Sequence, residues 1–515
     1  MGEMTWENSA ITIATFLPVV GALVIALVPS RNDKAVRALA IVFTGAALVV
    51  AIAIAADFDY GSSQGLQLEL DARWIPAITS RYHVGIDGIS LPLYVLTFAL
   101  SFLCAIYSWR FIPKPGKTKA FLALMLLLET GMAGTFIAFD LILFFVFWEL
   151  VLVPMYFLIG IWGSANREYA SIKFFLYTLF GSVFMLLGFL AMFFRSDVGG
   201  GVHTFDIIQL QAFASSGGFT NAFQLVAFAA VALGFAVKVP MWPFHTWLPD
   251  AHTEAPTIGS VLLAGIMLKM GTYGFIRIAL PILPYGAQKY APWIGLLAAI
   301  AIVYAALACL AQRDLKRLIA FSSVGHMGFV MLGIATLTTI GIQAAIFGMV
   351  AHGIITGMLF FCVGSIYDRY HTREIADIGG GLMQKLPYLG GVFAFVAIAS
   401  LGLPGLAGFW GEVMSLLASF EPNAALNVGL FRGFMIAGGV GTILTAGYFL
   451  WMLQRVNMGT VPEKWTQEPF PDVVAVEWVS WVPLLIGVVA LGVFPRLVFG
   501  VTDGPVDSLM QLFGG

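Results

Sequence analysis

Residues 141–162 read "LILFFVFWELVLVPMYFLIGIW" and contain one charged residue, Glu149. A run of about 20 apolar residues is long enough to cross a bilayer as a helix. Similar runs recur along the whole 515-residue chain, and only 10% of its residues are charged. Because soluble domains carry about 25% charged residues, the sequence predicts an all-α polytopic membrane protein. The runs are continuously apolar, unlike the alternating strands of a membrane β-barrel.

The remaining composition excludes several other classes. The net charge of −2 does not suggest a nucleic-acid partner. Cys104, Cys309 and Cys362 lie in separate apolar runs, without the spacing of metal or iron–sulfur ligands, so we expect them to be packing residues. No cofactor or metal site is predicted in this chain. The acidic start "MGEMTWENS" (1–9) lacks the basic region of a signal peptide, and we expect a retained first helix.

The apolar runs predict about 14 transmembrane helices, which we number as spans 1 to 14. The predicted boundaries are 9–29, 35–56, 88–109, 118–138, 140–162, 169–194, 221–249, 256–282, 291–311, 315–335, 338–366, 387–419, 425–453 and 473–500. Between spans 2 and 3, the stretch "LQLELDARWIPAITSRYHVGID" (66–87) alternates in polarity and predicts a small extramembrane hairpin.

The distribution of lysine and arginine between the loops predicts the orientation. One set of alternate loops, with the adjoining span ends, holds 17 of the 26 basic residues, and the other set holds six. The larger set is Arg31, Lys34, Arg37, Arg110, Lys114, Lys117, Lys119, Arg167, Lys173, Arg313, Lys316, Arg317, Arg369, Arg373, Lys385, Arg455 and Lys464. Since basic loops stay on the cytoplasmic side, we expect both termini on the outer, periplasmic side of a bacterial plasma membrane.

Two spans contain residues that interrupt helices. Span 7 includes "FAVKVPMWPFHTWLP" (235–249), and span 12 includes "ASLGLPGLAGFWGE" (399–412). Proline removes a backbone donor and clashes with the preceding turn, so we expect both helices to be broken. Broken helices five spans apart suggest two inverted five-helix repeats, spans 4–8 and 9–13. The expected division is an N-terminal three-helix region with the hairpin (1–117), two repeats (118–282 and 283–453) and a C-terminal helix and tail (454–515).

Six ionisable residues fall inside or beside the predicted spans, two of them at the broken helices. They are Glu149, Lys238, Lys269, His326, His352 and Glu412. A charge near the bilayer centre costs at least ~2.5–3.5 kcal/mol, so these groups must face inward, pair or contact water. Burial favours their neutral forms, whereas pairing of Glu149 with Lys238 favours the charged forms, and histidine titrates near neutrality. The set therefore predicts a proton relay at mid-membrane depth.

Plain structural roles compete with this interpretation. A single Glu–Lys pair can simply hold two helices together. For His245 and His252, beside the helix junction of span 7, we expect a structural cap rather than metal binding. Arg277 follows Lys269 by eight residues, and we expect it near the outer interface, where its side chain would extend towards water. The number and placement of the six groups favour the relay.

Four stretches resemble a known family: "WELVLVPMYFLIGIWG" (148–163), "VKVPMWPFHTWLPDAHTEAPT" (237–257), "KRLIAFSSVGHMGF" (316–329) and "LPGLAGFWGE" (403–412). They are similar to the antiporter-like membrane subunits of the proton-pumping NADH–quinone oxidoreductase, respiratory complex I, over about residues 5 to 500. L and N types usually carry lysine at the broken twelfth span, whereas M types, the counterparts of mitochondrial chain 4, carry glutamate. Glu412 therefore indicates similarity to the M type.

The resemblance implies a role for each residue. Glu149 would pair with Lys238 and modulate its proton affinity, and Lys238 would be the central carrier of the first half-channel. Lys269 would lead to the second half, His326 and His352 would continue the line, and Glu412 would lead outward or to the next subunit. NADH, FMN, iron–sulfur clusters and quinone would be bound by partner subunits. The expected partners of this chain are other membrane subunits, especially neighbouring antiporter-like ones, together with lipid and protons.

Three alternatives stay open at the level of sequence. The chain could belong to a multisubunit sodium/proton antiporter, which shares the fold and much of the Glu and Lys pattern, although Glu412 argues against it. Membrane-bound hydrogenases use similar subunits. A structural scaffold, whose buried charges only hold helices together, is the alternative from another class, and neutral substitutions at Lys238 and Glu149 would leave transport intact in that case.

Overall fold

Long apolar helices dominate the computed structural model, which describes residues 6–29, 31–62 and 65–514. Thirteen helices within these ranges are long and apolar enough to cross a membrane. The uninterrupted spans 1–4 are Trp6–Leu27, Asp33–Asp57, Ser90–Tyr107 and Thr118–Ile137. Span 6 is Arg167–Arg195, spans 9–11 are Pro284–Leu310, Leu315–Ala335 and Thr339–Tyr370, and spans 13 and 14 are Val428–Val456 and Ala475–Val493. The predicted polytopic all-α fold is confirmed.

Spans 7 and 12 are both interrupted, as predicted from their proline and glycine content. Span 7 consists of Asn221–Lys238 and Trp247–Glu254, and span 12 of Pro387–Ser400 and Gly408–Phe420. With its two short helices, span 12 completes the fourteen predicted spans. In span 7 the indole Nε1 of Trp247 donates to the Val237 carbonyl at 2.9 Å, which satisfies a backbone acceptor next to the break. The inverted relation of the two predicted repeats stays a prediction.

Span 8 departs from the continuous α-helix that its sequence predicts. It runs as Thr257–Leu262, a π-helical segment Leu263–Met267, Leu268–Gly274, a second π-helical segment Phe275–Ala279, and Leu280–Ile282. Such segments widen the helix by one residue per turn and are frequent at functional sites. Span 5 is also divided, into Leu141–Leu150 and Leu152–Trp162, which meet at Val151. The local backbone of both spans depends on their packing, which apolar periodicity does not record.

The predicted extramembrane hairpin is present between spans 2 and 3. Strand β1, Gln67–Ile75, pairs antiparallel with β2, Ser80–Ile86, through the 3₁₀ turn Pro76–Ile78. Ser80 and the Arg81 backbone amide both donate to the Asp140 carboxylate, at 2.9 and 3.0 Å. Asp140 also caps span 5 by accepting from the Ile142 and Leu143 amides. The hairpin therefore fixes the start of span 5.

The structure corrects the predicted end of span 14. The helix stops at Val493, because Phe494 is non-helical and Pro495 follows it. A separate helix, Arg496–Met510, then packs against span 11, where Gln343 donates to Asp503 at 2.6 Å. The remaining short helices are Tyr60–Ser62, Ile207–Ser215, Ile375–Ile378, Leu382–Lys385, Glu463–Thr466 and Gln511–Phe513. The apolar run 473–500 therefore comprises one span and the start of a second helix.

The expectation that the Arg277 side chain extends towards water is wrong. Its guanidinium is buried, and its Nη2 donates to both carboxylate oxygens of Asp87, at 2.6 and 2.5 Å. Its Nε also donates to the Tyr273 hydroxyl at 3.2 Å, and Tyr273 donates to the Phe136 carbonyl at 2.8 Å. Because two hydrogen bonds to a carboxylate offset the cost of burial, the arginine has no need to reach water. It ties span 8 to the start of span 3 and the end of span 4.

Candidate functional site

Lys238 lies at the point where span 7 stops. It is the last residue of the helix Asn221–Lys238, because Pro240 follows and cannot donate to the helix. The side chain is buried, with 2% exposure. Its Nζ lies 5.0 Å from the centroid of the Trp148 ring, a cation–π arrangement that attracts a charged amine. The break therefore places a lysine amine inside the protein, against an aromatic face.

Glu149 lies beside this lysine without pairing with it. It is half-buried near the end of the helix Leu141–Leu150, and its carboxyl group lies close to the Ser182 hydroxyl. The neighbouring Trp148 donates to Ser182 Oγ at 3.0 Å. Among the residues that the structure describes, Glu149 and Lys238 form no ion pair, and the Trp148 ring is the lysine's close contact. The predicted ion pair is therefore not formed in this structure, and the influence of Glu149 on the proton affinity of Lys238 stays a prediction.

Lys269 and His352 are in direct contact. The Lys269 Nζ lies 2.6 Å from His352 Nδ1 and also donates to the Ala264 carbonyl within the first π-helical segment of span 8. Lys269 is fully buried and His352 is 6% exposed. The Nδ1 atom can accept from the ammonium only if the imidazole is unprotonated at that position. The contact can therefore pass one proton between amine and ring.

His326 joins span 10 to both halves of the broken span 12. Its Nδ1 lies 2.9 Å from Glu412 Oε1, and its Nε2 lies 3.0 Å from Ser400 Oγ. Ser400 ends the first helix of span 12, and Glu412 lies in the first turns of the second. The interruption, with left-handed backbone at Gly402 (φ 78°) and Gly405 (φ 90°), is what brings both side chains to one histidine.

A cavity of about 30 Å³ connects these two contacts. The His326 and His352 rings line it, with centroids 5.6 Å apart. His352 Nε2, Thr356 Oγ1 and Glu412 Oε2 are buried atoms of lining residues that have no hydrogen-bond partner in the structure. A polar cavity of this size has room for a water molecule, which would satisfy such atoms. The geometry therefore allows a hydrogen-bonded path from Lys269 to Glu412.

The six residues singled out in the sequence thus form two groups. Lys269, His352, His326 and Glu412 form a connected series from span 8 through spans 11 and 10 to span 12. Glu149 and Lys238 form a second group, next to Trp148. Within the part of the chain that the structure describes, no hydrogen bond joins Lys238 to Lys269. The functional roles assigned to these residues stay predictions.

The structure does not support a capping role for the His252 side chain, whereas the His245 side chain interacts with the Pro243 backbone in the interruption of span 7. His252 is fully buried, neither ring nitrogen has a partner, and the ring stacks on Phe360 at 4.6 Å. His245 Nδ1 is likewise buried without a partner, and its ring lies 5.0 Å from that of Tyr304. Both rings pack against aromatic side chains, and the His252 ring forms no hydrogen bond with any described residue. The described residues contain no cluster of three or more His, Cys, Asp or Glu suited to a metal ion.

The sequence interpretation missed Glu129, in span 4. This residue is fully buried, and neither carboxyl oxygen has a hydrogen-bond partner among the residues that the structure describes. The signal that selected Glu149, a carboxylate within an apolar run, was equally present in "LMLLLETGMAG" (124–134). The sequence interpretation also missed the pairing of Arg369 with Glu477. This pair is buried but joined by two hydrogen bonds, at 2.9 and 2.8 Å. Glu129 alone of these three lacks any compensating contact.

An ionisable cluster also lies outside the spans, at the hairpin. His83 is buried and bonded through both nitrogens, to Asp206 at 2.5 Å and to Glu69 at 2.9 Å. Desolvation by burial lowers the pKa of His83, but the hydrogen bonds and negative charges of Asp206, Asp71 and Glu69 together outweigh it and raise the pKa above its usual value. The imidazole therefore links the hairpin to Asp206, which caps the helix Ile207–Ser215.

Fold and site together define a class: a multi-span membrane protein in which buried ionisable groups run past two interrupted helices. A family model described as "NADH:quinone oxidoreductase/Mrp antiporter, TM" matches residues 138–437. NADH-quinone oxidoreductase subunit M of Rhodobacter capsulatus is 41% identical over 98% of this chain and 97% of its own length. NADH-ubiquinone oxidoreductase chain 4 of Arabidopsis thaliana is 37% identical over 96% of this chain and 95% of its own length.

Solved structures agree with these relatives. A chain of respiratory complex I from Thermus thermophilus superposes with a TM-score of 0.86 at 28% identity, over 98% of this chain and all of that one. A chain of the Mrp complex from Dietzia sp. matches with a TM-score of 0.84 at 20% identity, over 99% of this chain, which shows a shared fold. The chain belongs to the subunit M (chain 4) family of the NADH–quinone oxidoreductase membrane subunits.

Proposed function

We propose that this chain translocates protons as the M-type membrane subunit of an NADH–quinone oxidoreductase, respiratory complex I. The observation that carries the proposal is the connected series Lys269–His352–His326–Glu412, which runs inside the protein past the broken span 12. Each member can gain or lose a proton, and a chain of such groups is what intramembrane proton transfer requires. The names of the relatives assign the same complex.

Within this function we assign the two groups different tasks. Lys238, against Trp148 at the break of span 7, is the carrier of the first half, and the nearby Glu149 tunes the stability of its charged form. Lys269 passes protons to His352 and His326, and Glu412 is the terminal acceptor of this series. Quinone reduction in other subunits drives the movement. The four-part division of the chain, with two repeats at 118–282 and 283–453, is part of this proposal.

The partners follow from the same assignment. The chain is a multi-pass membrane protein, and other membrane subunits of complex I surround it. We propose that neighbouring antiporter-like subunits are among them and that both termini face the outer side of a bacterial plasma membrane, because the basic loops then lie inside. NADH, FMN, iron–sulfur clusters and quinone are assigned to partner subunits. The fold shared with an Mrp complex does not favour sodium/proton exchange, since the relatives near 40% identity are oxidoreductase subunits.

The experiment that tests the function uses inverted membrane vesicles carrying Glu149→Gln in the whole complex. Native gels first establish that the complex is assembled, and NADH-driven proton uptake sensitive to a quinone-site inhibitor is then measured. We expect uptake to fall severalfold, because the amide cannot take a negative charge beside Lys238. Glu421→Gln, at an exposed position, is the matched control and should pump normally.

The alternatives to this proposal predict different results. Normal uptake in an assembled Glu149→Gln complex would reduce Glu149 to a residue that only holds helices together. Uptake that depends on sodium rather than on NADH oxidation would transfer the chain to the antiporter class.

A further inference from the structure

Glu129 is a buried carboxyl group that no packing role explains. It lies roughly midway along span 4, Thr118–Ile137, with no exposed surface and no partner for either oxygen. An unpaired carboxylate in such surroundings is strongly disfavoured, so the group is held as the neutral acid. An apolar side chain of similar size would pack there at lower cost. The carboxyl group therefore provides chemistry rather than stability.

The position of Glu129 relative to span 8 follows from two contacts further along both helices. The Tyr273 hydroxyl donates to the Phe136 carbonyl, and their rings pack 5.2 Å apart. Spans 4 and 8 run in the same direction, since an odd number of crossings separates them. Glu129 lies two turns before Phe136 on the same face, and Lys269 lies one turn before Tyr273 on the same face. Counted along the helix axes from Phe136 and Tyr273, the two residues thus differ by about 4.5 Å.

Span 3 completes the surroundings of Glu129. The Glu129 carboxyl lies close enough to Tyr94 and Cys104 to act on both electrostatically. Ser101 lies between these two residues on one face of span 3, and its buried hydroxyl has no partner. Span 3 also packs on the first π-helical segment of span 8, the segment whose carbonyl binds Lys269. Glu129 is therefore at a junction of spans 3, 4 and 8.

The junction lies two turns from a polar cavity on the basic-loop side. This cavity, of about 280 Å³, is lined by residues that include Phe121 of span 4, Tyr107 of span 3 and Asp368 of span 11, and Tyr107 donates to Asp368 at 3.3 Å. Phe121 precedes Glu129 by eight residues, or about 12 Å along the helix. Span 4 thus runs from the cavity to Glu129, and the Ser101 face of span 3 runs beside it.

We propose that Glu129 is the proton donor that reloads Lys269 from the inner side. The neutral acid gives its proton, through an intervening hydroxyl or water molecule, to the free amine of Lys269. The resulting carboxylate is then reprotonated from water in the inner cavity. Other ionisable groups face this path. Tyr94 and Cys104 of span 3 lie near Glu129, Tyr107 and Asp368 lie at the inner cavity, and His352 contacts Lys269. The proposal rests on the proton-translocating function proposed above.

The test uses the assembled complex in inverted vesicles with Glu129→Gln, which keeps the shape but cannot release a proton. We expect NADH-driven proton uptake to fall severalfold. We also expect it to depend on the pH of the medium, which faces the cytoplasmic side in inverted vesicles, and to rise as the proton concentration there rises. In the wild-type complex, Glu129 as the buried donor makes uptake much less sensitive to the pH of that medium. Glu129→Asp should recover part of the loss, and Met132→Leu, one turn away, is the packing control.

Each outcome decides the proposal. Wild-type uptake with a wild-type pH profile in Glu129→Gln overturns it. If that variant fails to assemble, Glu129→Met, which suits the apolar pocket, is measured instead, and normal uptake there overturns the proposal equally. Glu149→Gln in parallel vesicles separates the two claims: loss of uptake there with normal uptake in the Glu129 variants rejects only the donor, whereas normal uptake in both rejects the donor and also the role proposed for Glu149.

Discussion

At the scale of single residues, the contacts decide what each buried charge can do. Glu477 and Glu129 are both fully buried glutamates, but only Glu477 has a partner, the guanidinium of Arg369. A paired carboxylate is stable as an ion, whereas an unpaired one is stable only as the neutral acid. The same residue type therefore serves as a structural link in one place and as a candidate proton donor in the other.

His83 provides a test at this scale, because its pKa is raised by its carboxylate partners. A histidine whose folded pKa exceeds the unfolded value stabilises the fold fully below pH ~6.5 and loses that contribution as pH rises through the folded pKa. We therefore expect the hairpin Gln67–Ile86 to open more readily above neutrality than below it. Hydrogen–deuterium exchange of the hairpin, compared with His83→Gln at each pH, measures this.

The comparison with the variant removes the intrinsic pH dependence of exchange. His83→Gln should open equally often at both pH values after this correction, since its amide does not titrate. Equal pH responses in the two proteins would show that the His83 charge does not hold the hairpin.

At the scale of elements, the interruption of span 12 shapes the site. The break lets the first helix present Ser400 and the second present Glu412 to the same histidine. An unbroken helix of this length would separate these residues by three turns, about 18 Å. In span 8, the first π-helical segment likewise positions an ionisable side chain, because its Ala264 carbonyl accepts a hydrogen bond from Lys269. In both spans, an irregular backbone positions the ionisable group.

Substitutions at two glycines in the break of span 12 separate the effect of backbone strain from the effect of contact with Glu412. Gly402→Ala would strain a backbone at φ 78° and place a methyl group 3.1 Å from Glu412 Oε2. Gly405→Ala would strain a backbone at φ 90° with open space around the new methyl. Each should cost about 1–2 kcal/mol of stability, but only Gly402→Ala should also lower proton uptake severalfold.

Thermal stability of the complex and proton uptake in vesicles measure the two effects separately. Equal uptake in the two variants would mean that contact with Glu412 has no influence on transport.

At the scale of the whole molecule, buried ion pairs join distant parts of the chain. Arg277 joins span 8 to Asp87 at the start of span 3, and Arg369 joins span 11 to Glu477 in span 14. Residues 190 and 108 positions apart in the chain are held together in this way. These pairs fix how spans 3 and 14 pack on spans 8 and 11, which carry Lys269 and His352.

The contribution of the Arg369–Glu477 pair to the stability of the complex can be tested. Glu477→Gln leaves the guanidinium buried beside a neutral amide, and losing one partner of a buried pair costs about 3–5 kcal/mol. We expect a lower yield of assembled complex on native gels and a lower unfolding temperature, with normal proton uptake per assembled complex. Asp377→Asn, which breaks the exposed pair with Lys464, is the matched control and should cost at most about 1 kcal/mol.

A Glu477→Gln complex that assembles and melts like the wild type would show that spans 11 and 14 are held by apolar packing alone. Loss of uptake in a fully assembled variant would instead move Glu477 into the transport path.

The sequence by itself determined the class of the protein, most of the span boundaries, the two interruptions and the hairpin. Each of these depends on local properties: the length of an apolar run, a proline or glycine within it, or the alternation of a strand. It also located six ionisable residues, because a charge within an apolar run is visible without any partner. Four of them, Lys269, His352, His326 and Glu412, form the connected series.

Only the tertiary structure decided which groups meet. Lys238 contacts Trp148 and not Glu149, and Arg277 pairs with Asp87. Glu129 has no partner among the described residues. All three results depend on how distant helices are rotated and tilted against each other. Packing against neighbouring helices sets that rotation and tilt. An apolar run specifies that a helix crosses the membrane, but its neighbours determine where each of its side chains points.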